Sequence, residues 1–261
     1  LGTQMKATGE VMAIADTFEA ALMKAVRGVE ISLDTLHMPK LERAGDEVLM
    51  SIMVEATDER LFAIFEAMKR GLSVERIHEI TLIDEWFLYH IYSLVEYEKE
   101  LQVLPLDREL YLKGKRMSYP DEAILRLAGK RTLSESGIVP MQPCYHMVDT
   151  CAAEFNAVTP YFYAVFDAPE SGIENEALDF IKKSEKPKVI VLGSGPIRIG
   201  QGIEFDYASV HCVASLQRLG YEVVTINNNP ETVSTDFDTA DRLYFEPLYA
   251  EDVLHIAAQE K

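Results

Sequence analysis

Residues 188–202 read Lys188-Val189-Ile190-Val191-Leu192-Gly193-Ser194-Gly195-Pro196-Ile197-Arg198-Ile199-Gly200-Gln201-Gly202, and this stretch decides the fold. A short, near-continuous apolar run before a glycine-rich turn is the pattern of a strand buried on both faces of a parallel sheet. A helical stretch follows from about Glu204 to Leu219, with Gly220 to end it, and Glu222-Val223-Val224-Thr225-Ile226 reads as a second strand. Strand, turn, helix and strand in this order open a doubly wound α/β fold. The residues from 188 to 261 are too few to complete such a sheet by themselves.

The turn leaves two readings open. Glycines allow a sharp bend and a close approach, and N–H groups at the following helix start favour anions, so a nucleotide could bind. The spacing, however, is G-x-G-x4-G and not the G-x-G-x-x-G of dinucleotide binders, and Pro196 removes one N–H from any phosphate cradle. The balance favours a tight connection that packs strand against helix. Arg198 and Glu204 carry the charge here. They read either as a surface ion pair of little energetic weight or as a polar lining along which small anions pass, and spacing alone favours the former.

A second polar cluster, Asn227-Asn228-Asn229-Pro230-Glu231-Thr232-Val233-Ser234-Thr235-Asp236, follows the second strand at the carboxyl end of the sheet, where open α/β folds bind ligands. Such residues also satisfy loop backbones locally. A nicotinamide-dependent oxidoreductase needs an acidic residue at the end of that strand to hold a ribose, and three asparagines stand there instead. Asp236, Asp238 and Asp241 do not follow a calcium-loop pattern, so no metal site is expected.

Residues 21–135 read as a succession of short capped helices. Leu61, Ile64, Phe65 and Met68 share one helix face, with Thr57 as a cap before them and Gly71 after. Ser73, Asp84 and Asp107 suit further N-caps, Pro120 suits a first helical position, and Asp16 with Glu19 suits a capping box ahead of the first helix. Residues 136–186 are less regular, interrupted by Pro140, Pro143 and Pro160, and the charged, polar segment from Pro169 to Pro187 resembles a surface linker. Cys151, near His146, lacks the surroundings of a cysteine hydrolase and reads as a small buried residue.

A net charge of −18 argues against nucleic acid as a partner. No apolar run reaches the roughly 20 residues of a membrane helix, so no membrane association is expected. Three cysteines, Cys144, Cys151 and Cys212, fit a reduced cytoplasm better than a disulfide framework. The opening Leu1-Gly2-Thr3-Gln4-Met5-Lys6 does not read like a natural start, and a piece cut from a longer protein is expected.

Taken in order, these motifs resemble the large-subunit family of carbamoyl phosphate synthetase. Gly193 to Tyr207 resembles the start of that family's second synthetase half, and Asn229 to Asp236 and Asp241-Arg242-Leu243-Tyr244-Phe245-Glu246-Pro247 continue the match. Val148 to Phe155 resembles the segment leading into that half, Gly71-Leu72-Ser73 and Ile83 to Leu88 the helical oligomerisation region, and Thr8 to Ile14 the end of the first half. The stretch from Lys130 to His146 departs from the family pattern in being shorter and less basic, which touches the local helix near Arg131 and not the resemblance.

The resemblance implies an α plus α/β architecture in three parts. Residues 1–20 would be the tail of the first ATP-grasp half, 21–186 a mainly helical oligomerisation domain with linker, and 187–261 the pre-ATP-grasp subdomain that opens the second half. The parent would be an ATP-dependent ligase that makes carbamoyl phosphate from bicarbonate, ammonia and two ATP, with Mg or Mn, a small glutaminase subunit as partner and self-association through the helical domain. It serves arginine or pyrimidine synthesis in the family. No catalytic residue, cofactor or metal is expected within these residues themselves. By resemblance Arg198, Gly202 and Glu204 line the carbamate passage into the second site, supported by the loop residues Gly193, Gly195, Gly200, Asn229, Glu231, Thr235 and Asp236. Two other classes stay open from sequence: a self-sufficient interaction module, and the small oxidoreductase that the three asparagines oppose.

Overall fold

A computed structural model describes residues 11–156, 158–167, 172, 174–182, 185–198, 201–202, 204–229, 232–236 and 238–261. Contacts divide the chain into two units: residues up to Asp16 with Arg27–Ile31 and Met141–Lys261, and Thr17–Val26 with Ser32–Pro140.

The second unit is helical because apolar residues recur at helical spacing along it, and half of its helices open on a capping side chain. Helices α1 (Phe18–Gly28), α2 (Pro39–Glu42), α3 (Asp46–Glu55), α4 (Arg60–Lys69), α5 (Val74–Thr81), α6 (Glu85–Val103), α7 (Arg108–Arg116) and α8 (Asp121–Leu127) follow one another. Ser73 accepts from the Arg76 N–H at 3.3 Å, Asp84 from Trp86 at 2.8 Å and Asp107 from Leu110 at 2.8 Å, as the sequence predicts. Gly71, at φ +97°, closes α4. Its N–H donates to the Met68 carbonyl and the Leu72 N–H to Ala67, both at 3.0 Å, which is the Schellman arrangement. Several expectations are corrected. Thr57 does not cap α4; it accepts from the Glu59 N–H at 3.3 Å, ahead of the helix. Thr17, not Asp16, caps α1, accepting from the Ala20 N–H at 3.3 Å. Glu19 does not turn back to that cap; it accepts from Ser93 Oγ at 2.9 Å and lies 2.7 Å from His90 Nδ1. Pro120 stands at the N-cap of α8, one place before the first helical position. Near Arg131 the chain forms no α-helix, only a 3-10 turn at Leu133–Ser136. The core runs through Ile64, Phe65, Met68, Leu88, Leu94 and Tyr97, all at most 1% exposed.

The first unit carries a five-stranded mixed sheet, mostly parallel. Strands β1 (Cys144–Met147), β2 (Tyr161–Val165), β3 (Lys188–Leu192), β4 (Glu222–Ile226) and β5 (Arg242–Tyr244) lie in the order β1-β2-β5-β4-β3. Only the β1–β2 pair is antiparallel. Helices α9 (Ala177–Ile181), α10 (Glu204–Arg218) and α11 (Ala250–Gln259) cover it. Alternation along β4 assigns the faces: Val224 and Ile226 pack with Ala177, Ile181 and Ile256 of α9 and α11, and Val223 packs with Val213 of α10. This is a doubly wound layering.

The boundary expected at residue 186 is corrected to 140. Residues 141–186 group with the sheet and not with the helical region, because β1 and β2 lengthen the sheet that residues 187–261 alone would leave short. The strand pairing that does this, Tyr161 with Leu243 and Phe162 with Tyr244, joins segments some eighty residues apart, which no local pattern announces. Among the described residues no helix is long and apolar enough to cross a membrane.

Candidate functional site

The site is built where β3 and β4 end side by side. Their ladder runs from Lys188 opposite Glu222 to Leu192 opposite Ile226, and the Gly193 N–H extends it by donating to the Ile226 carbonyl at 2.8 Å. The two polar stretches that follow the strands are thereby neighbours.

Asn227, fully buried, joins them. Its side-chain oxygen accepts from the Gly195 N–H at 3.2 Å and the Asn228 N–H at 2.9 Å, while its amide donates to Ser234 Oγ at 3.1 Å. Gly193 is glycine for this reason: a Cβ there would lie 2.3 Å from Asn227 Cγ. Gly195 sits at φ +66°, in the region that favours glycine, and its carbonyl accepts from Asn229 Nδ2 at 3.4 Å. Thr235 closes the second loop, donating to the Thr232 carbonyl at 2.8 Å and the Asn229 carbonyl at 3.2 Å. Asp236 is exposed and its N–H donates to Val233.

Asp206, in the first turn of α10 and 1% exposed, ties that helix to the same loop. One carboxylate oxygen accepts from the Ser234 N–H at 2.8 Å and from the Thr232 hydroxyl. Sequence reasoning missed Asp206, Asn227 and Ser234 as site residues. A buried-side Asp one turn into a helix, beside an asparagine run that ends a strand, was the available signal.

The expected trio Arg198, Gly202 and Glu204 divides in two. Arg198 pairs with Glu30, not with Glu204: Nη2 lies 2.5 Å from Glu30 Oε2. Glu204, exposed at the start of α10, turns back and accepts from the Gly202 N–H at 3.1 Å. A Cβ on Gly202 would come 2.4 Å from Glu204 Oε2. Gly200 and Glu231, also expected here, lie outside the described residues. Cys151 is half-buried on a turn, against the expectation of a core position.

Among the described residues of this turn, four N–H groups are spent on the chain itself. Gly193 donates to Ile226, Gly195 to Asn227, Arg198 to Gln201 Oε1 at 2.9 Å and Gly202 to Glu204, while Pro196 has none to give. A phosphate cradle requires such groups to point at the ligand. The geometry therefore describes a braced wall with charged side chains at its rim.

Replacing Gly193 by alanine is expected to destabilise the sheet-bearing unit by about 3 kcal/mol, combining overpacking with the loss of Asn227's hydrogen bonds. Urea denaturation measures it, and a loss under about 1 kcal/mol would mean that Asn227 moves aside freely.

Two family models match this chain: carbamoyl-phosphate synthetase large chain, oligomerisation domain, over residues 10–138, and carbamoyl phosphate synthase preATP-grasp domain, over residues 185–261. The chain belongs to the carbamoyl phosphate synthetase large-chain family. A relative from Agathobacter rectalis, the carbamoyl phosphate synthase large chain, is 50% identical over 267 aligned residues that take in all of this chain. The chain spans 24% of that relative's length. The helical unit thus corresponds to the family's oligomerisation domain, and the glycine turn, β3, β4 and the asparagine loop fall within its preATP-grasp domain.

Proposed function

We propose that this chain is part of an ATP-dependent ligase that makes carbamoyl phosphate, and that its glycine turn forms wall, not catalytic centre. In this reading the parent protein phosphorylates bicarbonate with one ATP, converts the product with ammonia to carbamate, and phosphorylates carbamate with a second ATP. Mg or Mn accompanies the nucleotides, ammonia comes from a small glutaminase subunit, and the helical unit mediates self-association. The setting is the cytoplasm, in arginine or pyrimidine synthesis. ATP-grasp residues that would hold nucleotide and metal belong to other parts of the parent.

Within this chain, Arg198, Gly202 and Glu204 border the path that carbamate takes to the second phosphorylation site. Carbamate is a labile anion, so its path needs hydrogen-bonding groups, a clear bore and exclusion of bulk water. The observation that carries the reading is that the N–H groups of Gly193, Gly195, Arg198 and Gly202 are spent on the chain itself and not offered to a phosphate, while Arg198 and Glu204 remain at the rim.

The direct test is calorimetric titration of the 261-residue chain with Mg-ATP. No binding is expected at concentrations up to about 1 mM, the weak end of ordinary affinities. A micromolar dissociation constant, lost on changing Gly195, would show the turn to be a nucleotide site and refute the proposal.

A further inference from the structure

We propose that Glu30 is a positioning residue for Arg198, fixing where its guanidinium stands along the carbamate path. This rests on the passage reading above and adds to it a residue 168 positions away in the chain.

The turn that carries Glu30 is anchored to the sheet-bearing unit on both sides. Before it, buried Arg27 reaches Asp252 through Nε at 3.2 Å and Nη2 at 3.4 Å. The Gly28 carbonyl accepts from Asn228 Nδ2 at 3.0 Å, and a Cβ on Gly28 would stand 2.3 Å from that nitrogen. Asn228 is the neighbour of Asn227, so the turn is fastened to the same loop that braces Gly195. Three features then direct one carboxylate. Glu30 adopts φ +59°, a left-handed conformation that is strained for a non-glycine residue. Its N–H donates to the Arg27 carbonyl at 3.2 Å. Gly195 leaves the space that the carboxylate fills, since a Cβ there would lie 2.6 Å from Glu30 Oε1.

Stability does not account for this arrangement. The Arg198 side chain is 58% exposed and that of Glu30 28%, and ion pairs so open to water contribute little. Backbone strain held in place by surrounding structure is a mark of a functional site. Glu30 occupies one N–H of Nη2; among the described residues Nε and Nη1 make no hydrogen bond, so donors of the guanidinium remain for a carboxylate-like anion. Carbamate presents such a group.

The test uses the full-length large chain with ammonia as nitrogen source, reading ATP consumed per carbamoyl phosphate formed. Arg198→Ala should raise this ratio, as the passage reading requires. Glu30→Ala and Glu30→Gly should each raise it about threefold or more, by letting the guanidinium wander. Glu30→Gly should also raise the melting temperature of the chain by about 2–4 °C, because it removes the left-handed strain. A side chain kept only for stability would not lose coupling while the protein gained stability. Glu30→Gln keeps an acceptor oxygen for Nη2 and should recover most of the coupling. In an Arg198→Ala background, Glu30→Ala should change nothing further. Coupling at the wild-type level in Glu30→Ala, with Arg198→Ala uncoupled, would overturn the role of Glu30 alone. So would additive effects of the two, or Glu30→Gln as poor as alanine. A wild-type ratio in Arg198→Ala would overturn the passage reading and this proposal with it.

Discussion

Replacing Arg242 by methionine is expected to cost the sheet-bearing unit about 3–5 kcal/mol, the usual penalty for removing one partner of a buried ion pair. Arg242 opens β5 and is 2% exposed. Its Nη1 lies 2.5 Å from Glu222 Oε1, and its Nε and Nη2 grip both oxygens of Glu260 at 2.9 and 2.7 Å. Burial works against the cation, but these bonds outweigh it and hold the guanidinium pKa above its ordinary value. Without Arg242, two carboxylates at 5% and 4% exposure keep only the Tyr244 hydroxyl, 2.6 Å from Glu260 Oε1, and Lys188, 3.5 Å from its Oε2. Among the described residues the second Glu222 oxygen already has no hydrogen-bond partner. Changing Glu222 and Glu260 to glutamine together with Arg242→Met should therefore recover much of the loss, since neutral groups tolerate burial better. Urea unfolding at neutral pH measures both variants. A loss under about 1 kcal/mol for Arg242→Met would mean that water reaches the cluster.

This cluster lies at the amino ends of β3, β4 and β5, the opposite edge of the sheet from the glycine turn. The fold thus separates a charged, buried brace at one edge from the glycine turn at the other, the carboxyl edge where open α/β sheets place their ligands.

The two strands 188–192 and 222–226 appear in the structure with the limits that the sequence predicts, because apolar runs punctuated by glycine state both type and extent locally. The caps Ser73, Asp84 and Asp107 were legible for the same reason. Strands β1 and β2 were not: Pro143 and Pro160 obscure them, and their partner β5 is remote. At the site, the glycines were legible but not what they make room for. Gly193 accommodates Asn227 and Gly195 accommodates Glu30, contacts that depend on the tertiary fold. The asparagine run drew attention for the ribose-binding acid it lacks, whereas its role here is to lace the glycine turn, the 232–235 loop and the Gly28 turn together. Arg198 and Glu204 suggested each other as partners by spacing, yet the Glu30 carboxylate, on the turn after α1, takes Arg198.

The second large effect is expected at Gly202. Its φ lies outside the left-handed region, so leucine is compatible with the backbone there. What leucine meets is the Glu204 carboxylate, at 2.4 Å from its first side-chain atom, and that flexible group must swing away while the remaining atoms project from the wall. The change removes the Gly202–Glu204 hydrogen bond and narrows whatever runs past the turn, with little reason for the fold to fail. A turn that guides a labile intermediate and holds no nucleotide can be probed through the ATP hydrolysed per carbamoyl phosphate formed by the full-length enzyme carrying Gly202→Leu. A rise of about tenfold or more is expected, with bicarbonate-dependent ATP hydrolysis within about twofold of wild type. An equal fall in both activities, leaving the ratio unchanged, would show that the turn guides nothing.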